Sequence, residues 1–68
     1  MKITLKAARV NAGYTQREVA KQLRMTQRSI VNYEQGNTSP TADVLQRLAI
    51  LYRINIENIE LPKLKRKK

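Results

Sequence analysis

The chain has 68 residues, with 14 Lys and Arg against 5 Asp and Glu, no Cys, no His, and a formal net charge of +9. Such a length buries only a modest core, and the missing Cys and His exclude disulfide staples, Cys- or His-based zinc sites and His general-base catalysis. The positive excess favours polyanionic partners, either nucleic acid or an anionic membrane surface.

Pro and Gly are scarce, two of each, which suits an all-α chain with short turns. Thr4 is placed to cap a first helix through Leu5, Ala8 and Ala12, and Gly13 offers a left-handed stop. Thr15-x-x-Glu18 is a capping box for a second helix, with Val19, Ala20 and Leu23 on its inner face. Arg24-Met25 makes a very short turn. Thr26 caps a third helix over about residues 27–35, with Ile30 and Tyr33 inward and Gly36 as its stop. Asn37-Thr38-Ser39-Pro40 reads as a loop. Thr41 caps a fourth helix with Val44, Leu45, Leu48, Ala49 and Tyr52 inward, and Asn55 a short last one through Ile56 and Ile59. Pro62 ends regular structure. The pattern contains no strands. Residues 1–61 form one expected domain, and residues 62–68 a basic tail expected to be disordered.

No apolar run approaches the roughly 18 residues of a membrane span. The N-terminus lacks the apolar core of a signal peptide. A soluble, cytoplasmic protein is expected.

The dipeptide Thr-Gln opens both the second and the third helix, at Thr15-Gln16 and Thr26-Gln27. Each Gln falls at a first helical position, where free N–H groups and the positive dipole end favour anions. Helix, short turn, helix at this spacing is the helix-turn-helix layout. On a helical wheel, Ile30, Tyr33 and Glu34 of the third helix fall inward, while Gln27, Arg28, Val31, Asn32 and Gln35 fall outward. Amides suit adenine, guanidinium suits guanine, and an apolar side chain meets a thymine methyl, so this face fits major-groove reading. A polar stripe alone is usually just a solvated face. The short turn, the small Ala20 and the basic charge favour the nucleic-acid reading.

From Leu5 to Ile59 the chain resembles the Cro and phage-repressor-like (XRE) family of helix-turn-helix DNA-binding domains. The resemblance rests on Leu5, Arg9, Gly13, Gln16, Val19-Ala20, Leu23, Ile30, Tyr33-Glu34, Gly36, Pro40, Leu45, Leu48-Ala49, Ile56-Glu57 and Ile59. It implies a five-helix, lambda-repressor-like bundle and a transcriptional regulator, acting as a repressor. It also implies roles position by position. Gln27, Arg28 and Asn32 match base-contacting positions, and Val31, outward on the same face, is expected to contact a base with them. Gln16, Asn37 and Thr38 match the phosphate-contacting ones, Arg17 is expected to join them, and Gln16 braces Gln27. Arg9 and Glu34 match a structural ion pair between the first and third helices. The family commonly has Gly where this chain has Arg24 and Arg53. If both sites keep a left-handed backbone, each Arg is strained by about 1 kcal/mol. Arg24 then points outward and reaches a phosphate.

The implied partner is a double-stranded DNA operator, (pseudo)palindromic, bound by a homodimer with recognition helices about 34–36 Å apart. Ile50, on the outer side of the fourth helix, is a candidate dimer contact with Glu57 and Asn58. Five basic residues in the tail, Lys63, Lys65, Arg66, Lys67 and Lys68, add general phosphate affinity. No cofactor, metal, membrane or small-molecule partner is expected. No paired carboxylates or Gly-rich phosphate loop support an enzyme. The rival is a protein-interaction module or antitoxin-like adaptor with the same fold. A bacterial or phage-encoded, nucleoid-associated protein fits the whole.

Overall fold

Four threonines start four helices. In the computed structural model, which describes residues 2–65, Thr4, Thr15, Thr26 and Thr41 hold extended backbone. Each hydroxyl accepts the amide three residues on, at 3.1, 3.1, 3.2 and 3.3 Å in turn. A cap of this kind contributes about 0.5–2 kcal/mol. The helices that follow are α1 (Leu5–Ala12), α2 (Gln16–Leu23), α3 (Gln27–Gln35) and α4 (Ala42–Tyr52). At Thr15 the box is reciprocal, because the Glu18 carboxylate accepts the Thr15 amide at 2.8 Å. All four helices end on a left-handed residue: Gly13 (φ 84°), Arg24 (φ 57°), Gly36 (φ 82°) and Arg53 (φ 58°).

The five-helix, all-α expectation needs correction. Among the described residues there are four α-helices, a 3₁₀ turn (Ile56–Asn58), and a pair of two-residue strands, β1 (Ile3–Thr4) and β2 (Ile59–Glu60). Asn55 does cap the last turn, its side chain accepting the Glu57 amide at 2.9 Å. That turn stops before Ile59, whose backbone is extended at φ −83°, ψ 125°. The strands run parallel, with Ile3 opposite Ile59 and Thr4 opposite Glu60. A β-branched residue is at ease in extended backbone, and here Ile59 also buries its side chain. The bridge ties the end of the domain to its beginning.

Between the helices lies one core of Leu5, Ala8, Val19, Ala20, Leu23, Ile30, Leu48, Ala49, Tyr52 and Ile59. Tyr33, Val44 and Leu45 pack against it, half-buried. Ala20 is buried between α2 and its neighbours, and the Met25 amide donates to the Ala20 carbonyl at 2.8 Å, closing the turn before α3. Ile30 anchors α3 from beneath. The opposite face of α3 is thereby left outward.

Candidate functional site

The inner side of α3 is held by charge. Arg9 of α1 donates from Nε to Glu34 Oε2 at 2.7 Å and from Nη2 to Glu34 Oε1 at 3.4 Å. Its Nη1 donates to the Tyr14 carbonyl at 2.9 Å. The two side chains are 11% and 4% exposed, so the expected ion pair between the first and third helices is present and poorly solvated. A forked guanidinium on a carboxylate adds orientation as well as energy. Tyr52 lies buried near this pair, its ring 6.4 Å from that of Tyr14. Burial pushes the Tyr52 hydroxyl up to about 12; the Glu34 charge adds to the rise and Arg9 opposes it.

Gln16 joins the same network. Its Nε2 donates to Glu34 Oε1 at 3.0 Å. The expected brace on Gln27 is therefore not what the structure shows: the amide of Gln16 is engaged by the carboxylate instead. The physical reason is competition between acceptors. A nearly buried carboxylate is a stronger acceptor than a solvated neutral amide. Gln16 itself is half-buried at the start of α2.

Gln27 is exposed and belongs to a different surface. Gln27, Arg28, Val31, Asn32, Gln35 and Asn37 line one open concavity of about 360 Å³ along the outer side of α3. All four expected base-contacting residues are there together. Asn37 donates from Nδ2 to Asn32 Oδ1 at 3.1 Å and to Gln35 Oε1 at 3.3 Å, tying the following loop to the helix. The backbone does the same, as the Asn37 and Thr38 amides donate to the Asn32 carbonyl at 2.9 and 3.5 Å. This engages the acceptor of Asn32 and leaves its Nδ2 donors without a partner among the described residues. Gln35 is a lining residue that the family pattern did not single out. Its signal was the wheel position, four residues after Val31.

The other expected contacts are more dispersed. Arg17, Arg24, Asn37 and Thr38 are all exposed, on the first turn of α2, the turn after α2 and the loop after α3. Arg24 and Arg53 both hold the left-handed backbone expected of Gly, so both carry the anticipated strain. Ile50 is 70% exposed. It borders a shallow depression of about 220 Å³ shared with Gln22, Leu23, Arg47 and Leu51. Glu57 and Asn58 are exposed on the 3₁₀ turn.

Part of the tail has a defined place. The Lys65 amide donates to the Gly36 carbonyl at 2.8 Å. The remaining tail residues, Arg66, Lys67 and Lys68, lie outside the described residues. Among the described residues no helix is long and apolar enough to cross a membrane.

Comparison with known proteins gives a consistent result. The family model described as "Helix-turn-helix" matches residues 5–59. The HTH-type transcriptional regulator ImmR of Bacillus subtilis (strain 168) is 40% identical over 53 residues, covering 78% of this chain. The chain spans 42% of that relative's length. No solved structure matches the chain significantly.

Proposed function

We infer function from the premise that the chain belongs to the helix-turn-helix family. On that footing it is a DNA-binding transcriptional regulator, a binder without catalytic chemistry, working in the cytoplasm as a repressor. A relative bearing the name of a transcriptional regulator supports this reading. The observation that carries it is the α3 concavity, where four amides, a guanidinium and an apolar side chain share one open face.

In this reading α3 enters the major groove. Arg28 donates twice to guanine, Gln27 pairs with adenine, and Val31 meets a thymine methyl. Asn32 acts as a donor, because Asn37 already occupies its oxygen. Gln16, Arg17, Arg24, Asn37 and Thr38 hold phosphates and set the register. Gln16 keeps one amide hydrogen on Glu34 and offers the other outward. The free N–H groups at the start of α2 add a partial positive charge beside it. Two copies meet through Ile50, Glu57 and Asn58 and read a (pseudo)palindromic operator.

Selection of bound sites from a random duplex pool tests this reading. A two-fold symmetric site with half-sites one helical turn apart is the expected result. Retention of no preferred sequence, together with a bound protein recovered through the Ile50 face, would instead favour the adaptor reading.

A further inference from the structure

Gly13 and Gly36 have the same left-handed backbone and different surroundings. A Cβ on Gly13 would meet nothing within 4 Å. A Cβ on Gly36 would sit 2.5 Å from the Lys63 carbonyl oxygen and 3.3 and 3.4 Å from Pro62 Cβ and Cγ. Gly36 is buried although it begins a surface loop. What covers it is the segment after β2. Pro62 lies over the glycine, and the Lys65 amide closes the contact on the Gly36 carbonyl at 2.8 Å. Gly13 is needed for its φ alone. Gly36 is needed for its φ and for the room it leaves.

This seat has a particular location. Gly36 is the stop of α3, and its chain neighbours are Gln35 and Asn37, both lining the α3 concavity. The docked segment carries Lys63 and Lys65, both exposed. The fold thus sets two ammonium groups on a segment pinned to the end of α3, beside the loop of Asn37 and Thr38. Nothing acidic lies in residues 61–65 to neutralise them.

We propose that Pro62–Lys65 is a docked extension of the nucleic-acid interface, seated on Gly36, through which Lys63 and Lys65 contact the phosphate backbone of the duplex that α3 reads. The proposal rests on the DNA-binding reading above. Docking matters because a pinned lysine loses less freedom on binding than one on a loose tail. It also fixes which phosphates are met, so the contribution is the same for every duplex sequence.

The test uses the full chain and a double variant, Lys63→Ala with Lys65→Ala, titrated with a duplex at several salt concentrations. Gly36→Ala is a poor choice, since it adds backbone strain and a clash together and can simply unfold the domain. Each phosphate left unneutralised reduces the slope of log K against log salt by about 0.9, so the double variant should show a slope shallower by about 1.8. Hydrogen exchange at the Lys65 amide of the wild type is the second readout, and it should be slowed relative to an unstructured chain. A slope equal to wild type overturns the proposal. So does a reduced slope with a Lys65 amide exchanging at the unstructured rate, since the lysines would then act from an undocked tail. A wild-type chain with no duplex affinity would remove the underlying reading as well, and is told apart by the wild-type titration alone.

Discussion

The two Thr-Gln helix starts are the same dipeptide, each with its threonine hydroxyl as the cap, and they face opposite demands. Thr15 and Thr26 each accept the amide three residues on. After that the likeness ends. Gln16 is drawn into the Arg9–Glu34 pair through a 3.0 Å bond, whereas Gln27 lies exposed along the α3 concavity. One glutamine is committed to holding helices together; the other is left available. A local sequence signal therefore sets where a helix begins, and the tertiary neighbours decide what its first side chain does.

The sharpest way to break this comparison is to remove the acceptor that distinguishes the two. Glu34→Ala strands the Arg9 guanidinium in a poorly solvated place and takes away the partner of Gln16. Losing one member of a buried pair is expected to be worth about 3–5 kcal/mol, a large share of the stability of so small a domain. The denaturant midpoint checks it. An unchanged midpoint would show that the pair holds nothing and that the two starts do not differ as described. The same neighbourhood has a pH signature. The folded state raises Tyr52 from its ordinary 10.0 to about 12, so it binds that proton more tightly than the unfolded chain does. This contribution is fully present below pH 10 and is lost as pH rises through about 12. Thermal melts across that window should show a falling midpoint, and Tyr52→Phe should flatten that slope.

A second cut separates the glutamines themselves. Gln27→Ala should leave the melting temperature unchanged and weaken the preferred duplex by about 1–3 kcal/mol, relaxing one base position per half-site. Gln16→Ala should do the reverse in part. It removes a donor from a nearly buried carboxylate, which is worth about 1 kcal/mol of stability once water takes up the half-exposed site. It should also weaken every duplex alike, with the base profile intact, because Gln16 is bonded to Glu34 and not to Gln27. A base-by-base profile and a melt for each variant decide the matter. A profile blurred by Gln16→Ala would restore the glutamine-to-glutamine brace.

Much of this molecule was legible because capping is local. Thr4, Thr15, Thr26 and Thr41 act on amides three residues away, and the helices start where those residues say. The outer face of α3 follows from helical period, so its residues were correctly grouped. What escaped was everything that depends on distant chain. Gln16 and Glu34 are 18 residues apart, and no spacing rule links an amide to a carboxylate at that range. Ile3 and Ile59 pair over nearly the whole domain, in strands of two residues, too short to show alternation. Gly36 read simply as a helix stop, since nothing in the local sequence tells that Pro62 will lie over it. The Arg9–Glu34 pair came from family resemblance, and spacing alone would not have found it.

The smallest effects come from a second matched pair, Arg24 and Arg53, and they sharpen the lesson of the first. Both residues end a helix, at nearly identical dihedrals of φ 57°, ψ 45° and φ 58°, ψ 45°. Both stand where glycine is the easier residue, so the backbone treats them alike. Replacing either by Gly should raise stability by about 1 kcal/mol or less, the relief of left-handed strain being partly offset by the freer unfolded chain. Their surroundings differ. Arg24 lies in the two-residue turn between α2 and Thr26, beside the start of α3, whereas Arg53 follows α4 and borders a concavity with Asn11, Ala12 and Tyr14. If position in the fold governs use, Arg24→Gly should also lower the salt dependence of duplex binding by the share of one phosphate, roughly 0.9 in slope. Arg53→Gly should leave that slope untouched. Equal slopes for both variants would mean that Arg24 is retained for no contact with the duplex. A stability gain at neither site would mean that the two arginines recover through their own contacts what their backbone gives up.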